Sequence, residues 1–84
     1  MAQIIVYSAD WCPFCVRAKK LLEDKGVEFE EVNVDQVPGA REDIVKRTGQ
    51  KTIPQIFIGE KFIGGFSELS SLESRGELDA LLKA

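Results

Sequence analysis

Histidine is absent from this 84-residue chain, and cysteine occurs only twice, at Cys12 and Cys15. A structural zinc site needs about four nitrogen or sulfur ligands, so a second molecule would have to complete one here. No apolar run approaches the length of about 20 residues that a membrane-spanning helix requires. The N-terminus also lacks a basic segment followed by a long apolar stretch, so no signal peptide is visible. We therefore expect a cytoplasmic protein with no metal and no membrane contact.

Strong charge of either sign is missing as well. The formal net charge is −3 at pH 7, and the basic residues form no long run, so the chain has no electrostatic footprint for nucleic acid. An apolar content of 44% argues against disorder. A chain of this length has room for one domain, residues 1–84, with one small core.

The two cysteines stand between an apolar run at residues 4–7 and a helical pattern. If Cys12 caps a helix that begins at Pro13, its sulfur faces the unpaired amide groups of the first turn. The partial positive charge there favours a thiolate over a thiol. One helical turn brings Cys15 beneath Cys12, at a spacing that a disulfide allows. This pattern predicts a reversible dithiol/disulfide in a reducing compartment, with the sulfur of Cys12 reachable from solvent.

Two structural interpretations of the cysteine pair compete with the redox interpretation. A permanent disulfide is one, although closing so short a loop gains little entropy. A chance pair of buried core cysteines is the other, because free cysteine is often simply buried.

Hydrophobic periodicity predicts the element order β-α-β-α-β-β-α. The predicted strands cover residues 3–8, 28–34, 55–58 and 62–63, and the predicted helices cover residues 13–25, 40–48 and 67–82. The third helix would start at a Ser67 N-cap and contain a break near Gly76. A right-handed β-α-β crossover followed by a hairpin gives an α/β fold, in which a four-stranded mixed sheet is flanked by three helices. Cys12 then lies at the carboxyl end of the first strand, where ligands commonly bind.

Three motifs together resemble the glutaredoxin family, within the thioredoxin fold. Residues 12–15 (Cys-Pro-Phe-Cys) are similar to its Cys-Pro-Tyr-Cys, residues 52–54 (Thr-Ile-Pro) to its Thr-Val-Pro, and residues 64–68 (Gly-Gly-Phe-Ser-Glu) to its Gly-Gly-x-Ser/Asp-Asp. The resemblance covers essentially the whole chain. It implies a monomeric enzyme that reduces glutathione-mixed disulfides and protein disulfides, with glutathione as the co-substrate that donates electrons.

The resemblance also implies roles for individual residues. Cys12 would be the nucleophile and Cys15 the resolving thiol, which protein disulfides require. Pro54 would be cis and would face Cys12, leaving the backbone of Ile53 free to pair with the substrate. The implied glutathione-binding residues are Phe14, Arg41, Lys51, Thr52, Ile53, Pro54, Gly65, Phe66 and Ser67. The γ-glutamyl carboxylate would bind at the start of the third helix. The glycyl carboxylate would meet Arg41 and Lys51, although solvated surface charges are an equally good interpretation of these two residues.

The chain departs from the family pattern next to the cysteines. Phe14 replaces the usual tyrosine, and Ala9 stands where many members have a lysine, with the acidic Asp10 beside it. A tryptophan directly before the first cysteine, here Trp11, is similar to the pattern of thioredoxins. It would be either a docking platform for protein substrates or a packed loop aromatic. Two further functions stay open: a thioredoxin-like reductant recharged by a flavoenzyme, and an iron–sulfur carrier in which two chains and two glutathiones supply four thiolates. The family pattern at Pro13 argues against the iron–sulfur carrier.

Overall fold

Four strands and four helices make up residues 2–83, the part of the chain that this computed structural model describes. The strands are β1 (Ile4–Ser8), β2 (Glu30–Asn33), β3 (Gln55–Ile58) and β4 (Lys61–Gly64), and the helices are α1 (Pro13–Asp24), α2 (Ala40–Thr48), α3 (Phe66–Ser74) and α4 (Leu78–Lys83). The predicted order is confirmed, and the predicted break near Gly76 divides the third helix into α3 and α4. That glycine has a φ of 72°, a backbone conformation that glycine adopts readily and that ends a helix. No helix within residues 2–83 is long and apolar enough to cross a membrane.

One mixed sheet contains all four of these strands, in the order β2-β1-β3-β4. β1 pairs parallel with β2, where Val6 lies opposite Glu31, and antiparallel with β3, where Val6 lies opposite Ile56. β3 and β4 form the predicted antiparallel hairpin. The central strand β1 ends at Ser8, so the loop that follows carries Cys12 to the carboxyl edge of the sheet.

Each face of the sheet has its own apolar core. On one face, Leu22 of α1, Leu69 of α3 and Leu78 of α4 are fully buried against β1 and β3. On the other face, Ile44 of α2 packs against Phe57 of β3. Burial of these side chains is the main force that holds the layers together. Because helices cover both faces of β1, the end of this strand is held in place. The loop that carries Cys12 starts from that end.

Candidate active site

Cys12 and Cys15 lie one helical turn apart at the start of α1, and both are free thiols. Cys12 is the N-cap, with an extended backbone (φ −95°, ψ 110°), and Pro13 begins the helix. The Cys15 N–H donates a hydrogen bond to Cys12 Sγ over 3.2 Å. The predicted helix entry is confirmed, and the amide groups of the first turn face the Cys12 sulfur.

Cys12 is less open to solvent than the sequence led us to expect. The residue is only 4% exposed, whereas Trp11 and Phe14 beside it are 64% and 54% exposed. Its role as a cap explains part of this, because the side chain turns toward the helix backbone. In that position Sγ also lies 3.9 Å from the carbonyl oxygen of Ile53. The buried cysteine thus has an exposed aromatic residue one position before it and another two positions after it in the sequence.

Cys15 is fully buried beneath Cys12. Burial raises the pKa of the Cys15 thiol from 9.0 to about 12, and its hydrogen bond with Cys12 acts in the same direction. Cys15 therefore keeps its proton at neutral pH. A buried, protonated thiol is a poor attacking group for an incoming disulfide, since the thiolate is the nucleophile. It can react with a partner that is brought to it, and the nearest such partner is Cys12.

The loop before β3 contains the Thr-Ile-Pro segment that resembles the family motif. Its Ile53–Pro54 peptide bond is cis, as the resemblance implied. Gln55, only 1% exposed, holds the loop from below. Its Nε2 donates hydrogen bonds to the carbonyl oxygens of Gln50, at 2.8 Å, and of Thr52, at 2.9 Å. Two of the loop's carbonyl groups are thus tied to one buried side chain, which fixes the shape of the loop.

A groove of about 490 Å³ lies between this loop, the first turn of α1 and the start of α3. Its lining residues are Phe14, Gln50, Thr52, Ile53, Pro54, Gly65, Phe66, Ser67, Glu68 and Ser70. The rings of Phe14 and Phe66, with centroids 6.2 Å apart, supply an apolar wall. The volume is within the range of about 300–1,000 Å³ that is typical of small-molecule sites. Cys12 does not line the groove. Its sulfur lies 3.9 Å from the carbonyl oxygen of Ile53, a residue that does line it.

The start of α3 differs from the prediction that Ser67 is its N-cap. The cap is Gly65, whose N–H donates to Glu68 Oε1 over 2.7 Å, so a glutamate three residues on closes the turn. Gly64 makes this approach possible, because a Cβ there would lie 2.7 Å from the same carboxylate oxygen and its φ is +122°. Ser67 therefore lies within the first turn. The N–H groups of Phe66 and Ser67 have no acceptor inside the helix and face the groove end.

The two predicted basic residues lie off the groove wall. Arg41 Nη2 is 2.7 Å from Asp35 Oδ1, so an ion pair already neutralises its charge. Lys51 is exposed and stands between Gln50 and Thr52, which both line the groove. Lys51 is not part of any ion pair among residues 2–83. Of the two cations, Lys51 is the one whose neighbours in the sequence line the groove.

The glutaredoxin family model matches residues 4–63 of the chain. The chain belongs to the glutaredoxin family. It is 46% identical to the glutaredoxin of Pseudomonas aeruginosa over 84 residues, which is the full length of both chains. It is 48% identical to glutaredoxin 3 of Escherichia coli (strain K12) over 83 residues, which cover 99% of this chain and 100% of that one.

Solved glutaredoxin structures have the same fold as this glutaredoxin. The buckwheat glutaredoxin–glutathione complex aligns with a TM-score of 0.91 at 30% identity, covering 98% of this chain and 77% of that one. The glutaredoxin of Brucella melitensis aligns with a TM-score of 0.87 at 46% identity, covering 99% and 90%. The mixed sheet and its helices are therefore a thioredoxin fold, and the chain is a thiol–disulfide oxidoreductase.

Sequence reasoning gave no role to three residues that line the groove of this glutaredoxin: Gln50, Glu68 and Ser70. Glu68 had a usable signal, since a glutamate three residues after a cap residue is typical of a capping box. Ser70 lies one helical turn beyond Phe66, and that spacing places both on one face of α3. Gln50 carries no such signal, because only the folded β3 brings its carbonyl to the buried glutamine.

The Trp11 ring of this glutaredoxin is exposed but held at its polar edge. Its Nε1 donates a hydrogen bond to Asp35 Oδ2 over 2.8 Å, and Arg41 holds the other carboxylate oxygen of Asp35. Asp35 follows β2, which runs beside β1, so the fold brings it to the loop that carries Cys12. The ring is not packed as a loop aromatic. Its apolar faces lie in solvent next to the dithiol.

We expect Asp35→Asn to change the emission of Trp11, the only tryptophan, because the charged acceptor at the indole N–H is lost. The Arg41 guanidinium and the Trp11 indole hold the pKa of Asp35 below its usual 3.8. The contact is therefore present above the range in which an unfolded aspartate titrates, and is lost as the pH falls through the lower folded value. Fluorescence titration should show constant emission from about pH 8 to 4. Asp43→Asn, on the exposed surface of α2, is the control for the substitution. In the titration, a midpoint of the emission change above pH 3.8 would contradict the prediction.

Proposed function

We propose that this chain is a glutathione-dependent oxidoreductase that reduces glutathione-mixed disulfides and, through Cys12 and Cys15, protein disulfides. The groove carries the proposal, because a site of small-peptide size opens beside the capping cysteine and is edged by helix amide groups. Glutathione carries two carboxylates, an ammonium and a thiol, and the groove offers complements to each. A relative of the same fold has been solved as a glutathione complex, which supports the same ligand here.

Each part of glutathione would meet a different part of the groove. The γ-glutamyl carboxylate would accept hydrogen bonds from the N–H groups of Phe66 and Ser67 and from the Ser67 hydroxyl, since a helix N-terminus favours anions. The Glu68 carboxylate lines the same end and would attract the neighbouring ammonium. The cysteinyl backbone would pair with the backbone of Ile53, as in strand addition. This pairing brings the glutathione sulfur toward Cys12, whose sulfur contacts the Ile53 carbonyl.

The proposed reaction consists of two exchanges. The Cys12 thiolate attacks the glutathione sulfur of a glutathionylated protein, forming a Cys12–glutathione disulfide and releasing the protein thiolate, which takes up a proton. A second glutathione thiolate then attacks the bound glutathione sulfur, releasing Cys12 and glutathione disulfide. The protein sulfur is reduced and the sulfur of the second glutathione is oxidised, while the sulfur of the first glutathione stays in a disulfide throughout. With a protein disulfide, Cys15 instead attacks Cys12, which releases the reduced protein and leaves a Cys12–Cys15 disulfide; two glutathione molecules then reduce this disulfide and leave as glutathione disulfide.

The decisive experiment measures turnover of a glutathionylated peptide and of insulin, each with two electron sources. One source is glutathione with glutathione reductase, and the other is a thioredoxin-type flavoenzyme reductase with NADPH. We expect turnover of both substrates with glutathione and slow turnover with the flavoenzyme. The opposite preference would replace this proposal with the thioredoxin-like alternative.

The expectations of a monomer, of a cytoplasmic location and of no metal cofactor stay predictions. Within residues 2–83, no three cysteine, aspartate or glutamate side chains come together in a way that could hold a metal ion. An iron–sulfur cluster would take its thiolates from two chains and two glutathiones. Anaerobic reconstitution with iron and sulfide, followed by absorption spectroscopy and sedimentation, tests both the cluster and the oligomeric state.

We expect Lys51→Ala to raise the KM for a glutathionylated peptide by about three- to tenfold with little change in kcat, as for loss of one exposed charge-assisted contact. Lys51 stands between two lining residues and has no ion pair among residues 2–83, so its ammonium is available to the glycyl carboxylate. Arg41→Ala is the matched control, because Arg41 is engaged with Asp35. Steady-state kinetics on both variants decides: an equal effect of the two substitutions, or none from Lys51→Ala, would contradict this assignment.

A further inference from the structure

Lys19 lies on α1 one turn beyond Cys15, four residues on, so the two side chains share a helix face. Its side chain is 22% exposed, and its Nζ is 2.8 Å from Glu31 Oε2 on β2. The same carboxylate oxygen accepts a hydrogen bond of 2.5 Å from the hydroxyl of Ser8, which is fully buried. The partly buried ammonium is therefore held by Glu31 on β2, and Glu31 is itself held by Ser8 on β1.

The neighbouring Lys20 shows that this arrangement is specific to Lys19. Lys20 side-chain exposure is 73%, and its partner Asp24, at 3.6 Å, is on the same helix and is itself 64% exposed. Such an exposed i, i+4 pair contributes little and leaves the ammonium mobile. Lys19 instead joins a helix to a strand at the edge of the dithiol. The two lysines have the same chemistry but different environments, which makes one a control for the other.

Resolution of a mixed disulfide needs negative charge on Cys15, and burial opposes it. Burial and the hydrogen bond with Cys12 raise the pKa of the Cys15 thiol, whereas the Ala9 amide and the Lys19 ammonium lower it. The Glu31 carboxylate raises the pKa of Lys19, and Asp10 adds to this effect, so the ammonium stays charged. Of these charged side chains, Lys19 acts on the pKa of Cys15, whereas Glu31 and Asp10 act on the pKa of Lys19. Lys19 is the cation among them.

We infer that Lys19 is a positioning residue for the resolving step: its ammonium, held by Glu31, stabilises the charge that develops on Cys15 as Cys15 attacks Cys12. In that step a bond forms between the sulfurs of Cys15 and Cys12, and the bond between Cys12 and the substrate sulfur breaks. The proton of Cys15 passes to solvent, and the departing substrate thiolate takes one up. Both active-site sulfurs end oxidised as a disulfide, and the substrate disulfide is fully reduced. The inference rests on the proposed function and assigns one of its two steps.

The test is Lys19→Gln, assayed with insulin, which needs Cys15, and with a glutathionylated peptide, which does not. We expect insulin reduction to fall about tenfold, the effect of one pKa unit at the resolving thiol, and peptide turnover to stay unchanged. The loss should shrink as the pH rises, because the limb along which insulin reduction increases with pH should move to higher pH. Lys19→Arg should restore most of the activity, because it keeps the charge. Lys20→Gln should behave as wild type in both assays.

Three outcomes would overturn the inference: no loss in Lys19→Gln, an equal loss with both substrates, or the same loss in Lys20→Gln. Thermal unfolding of each variant and the peptide assay show that the fold and Cys12 are intact. Repeating both assays with dithiothreitol as reductant separates the two claims. If wild type fails only with glutathione, the proposed glutathione dependence is wrong, while the dithiothreitol assays still decide the role of Lys19.

Discussion

Cys12→Ser is expected to abolish exchange with every disulfide substrate, lowering turnover by at least about a thousand-fold, as removal of an attacking nucleophile does in other enzymes. The thiolate is the group that attacks a disulfide, and a serine hydroxyl does not ionise at neutral pH to replace it. Cys15 offers no substitute, because it is fully buried and its pKa is raised to about 12. Turnover of a glutathionylated peptide and of insulin measures the effect.

The same substitution should leave the fold intact, so that the loss is chemical. Serine is among the preferred N-cap residues, and its hydroxyl can accept the hydrogen bond that the Cys15 N–H now donates to Cys12 Sγ. Thermal unfolding and circular dichroism of the variant should therefore match those of the wild type. Residual turnover above a few per cent of wild type in a folded Cys12→Ser variant would show that another group is the nucleophile.

Features of the site that depend on neighbouring residues could be predicted from the sequence. The cap at Cys12 and the start of α1 at Pro13 follow from residue types at fixed offsets, and both are confirmed. The bounds of α2 also match the predicted helix 40–48, because Gly39 and Gly49 flank it and both have the positive φ that only glycine adopts readily. Local conformational preference decides each of these features.

Features that join distant parts of the chain could not be predicted. The ion pair between Arg41 and Asp35 is one such feature, and Asp35 also accepts a hydrogen bond from Trp11, 24 positions away in the chain. The low exposure of Cys12 likewise depends on the loop around Ile53, which only the pairing of β1 with β3 brings alongside. Sequence periodicity records which side chains are buried, but not which polar groups meet across the sheet.

The second strand shows the same limit on a smaller scale. The prediction placed it over residues 28–34, whereas β2 covers only Glu30–Asn33. β2 is an edge strand, and its two glutamates are exposed, so hydrophobic alternation is interrupted where the ladder begins. The Glu31 carboxylate is held by the Ser8 hydroxyl of β1 and the Lys19 ammonium of α1.

Cys15→Ser is expected to separate the two activities of the dithiol. Insulin reduction should fall by about a hundred-fold or more, because the mixed disulfide on Cys12 then has no internal thiol to resolve it. Turnover of a glutathionylated peptide should stay within about threefold of wild type, since free glutathione resolves that intermediate from solvent. Mass spectrometry should detect the insulin chain trapped on Cys12 in this variant and not in the wild type.

The burial of Cys15 makes this separation sharp. At 0% exposure its thiol does not contact an external substrate, so removing it changes only what happens after Cys12 has reacted. Cys15→Ala is the matched variant, because it lacks the hydroxyl that a buried serine must satisfy, and it should give the same pattern. An equal loss of both activities in the two variants, with the fold intact by thermal unfolding, would mean that Cys15 supports the reactivity of Cys12 and is not a separate resolving thiol.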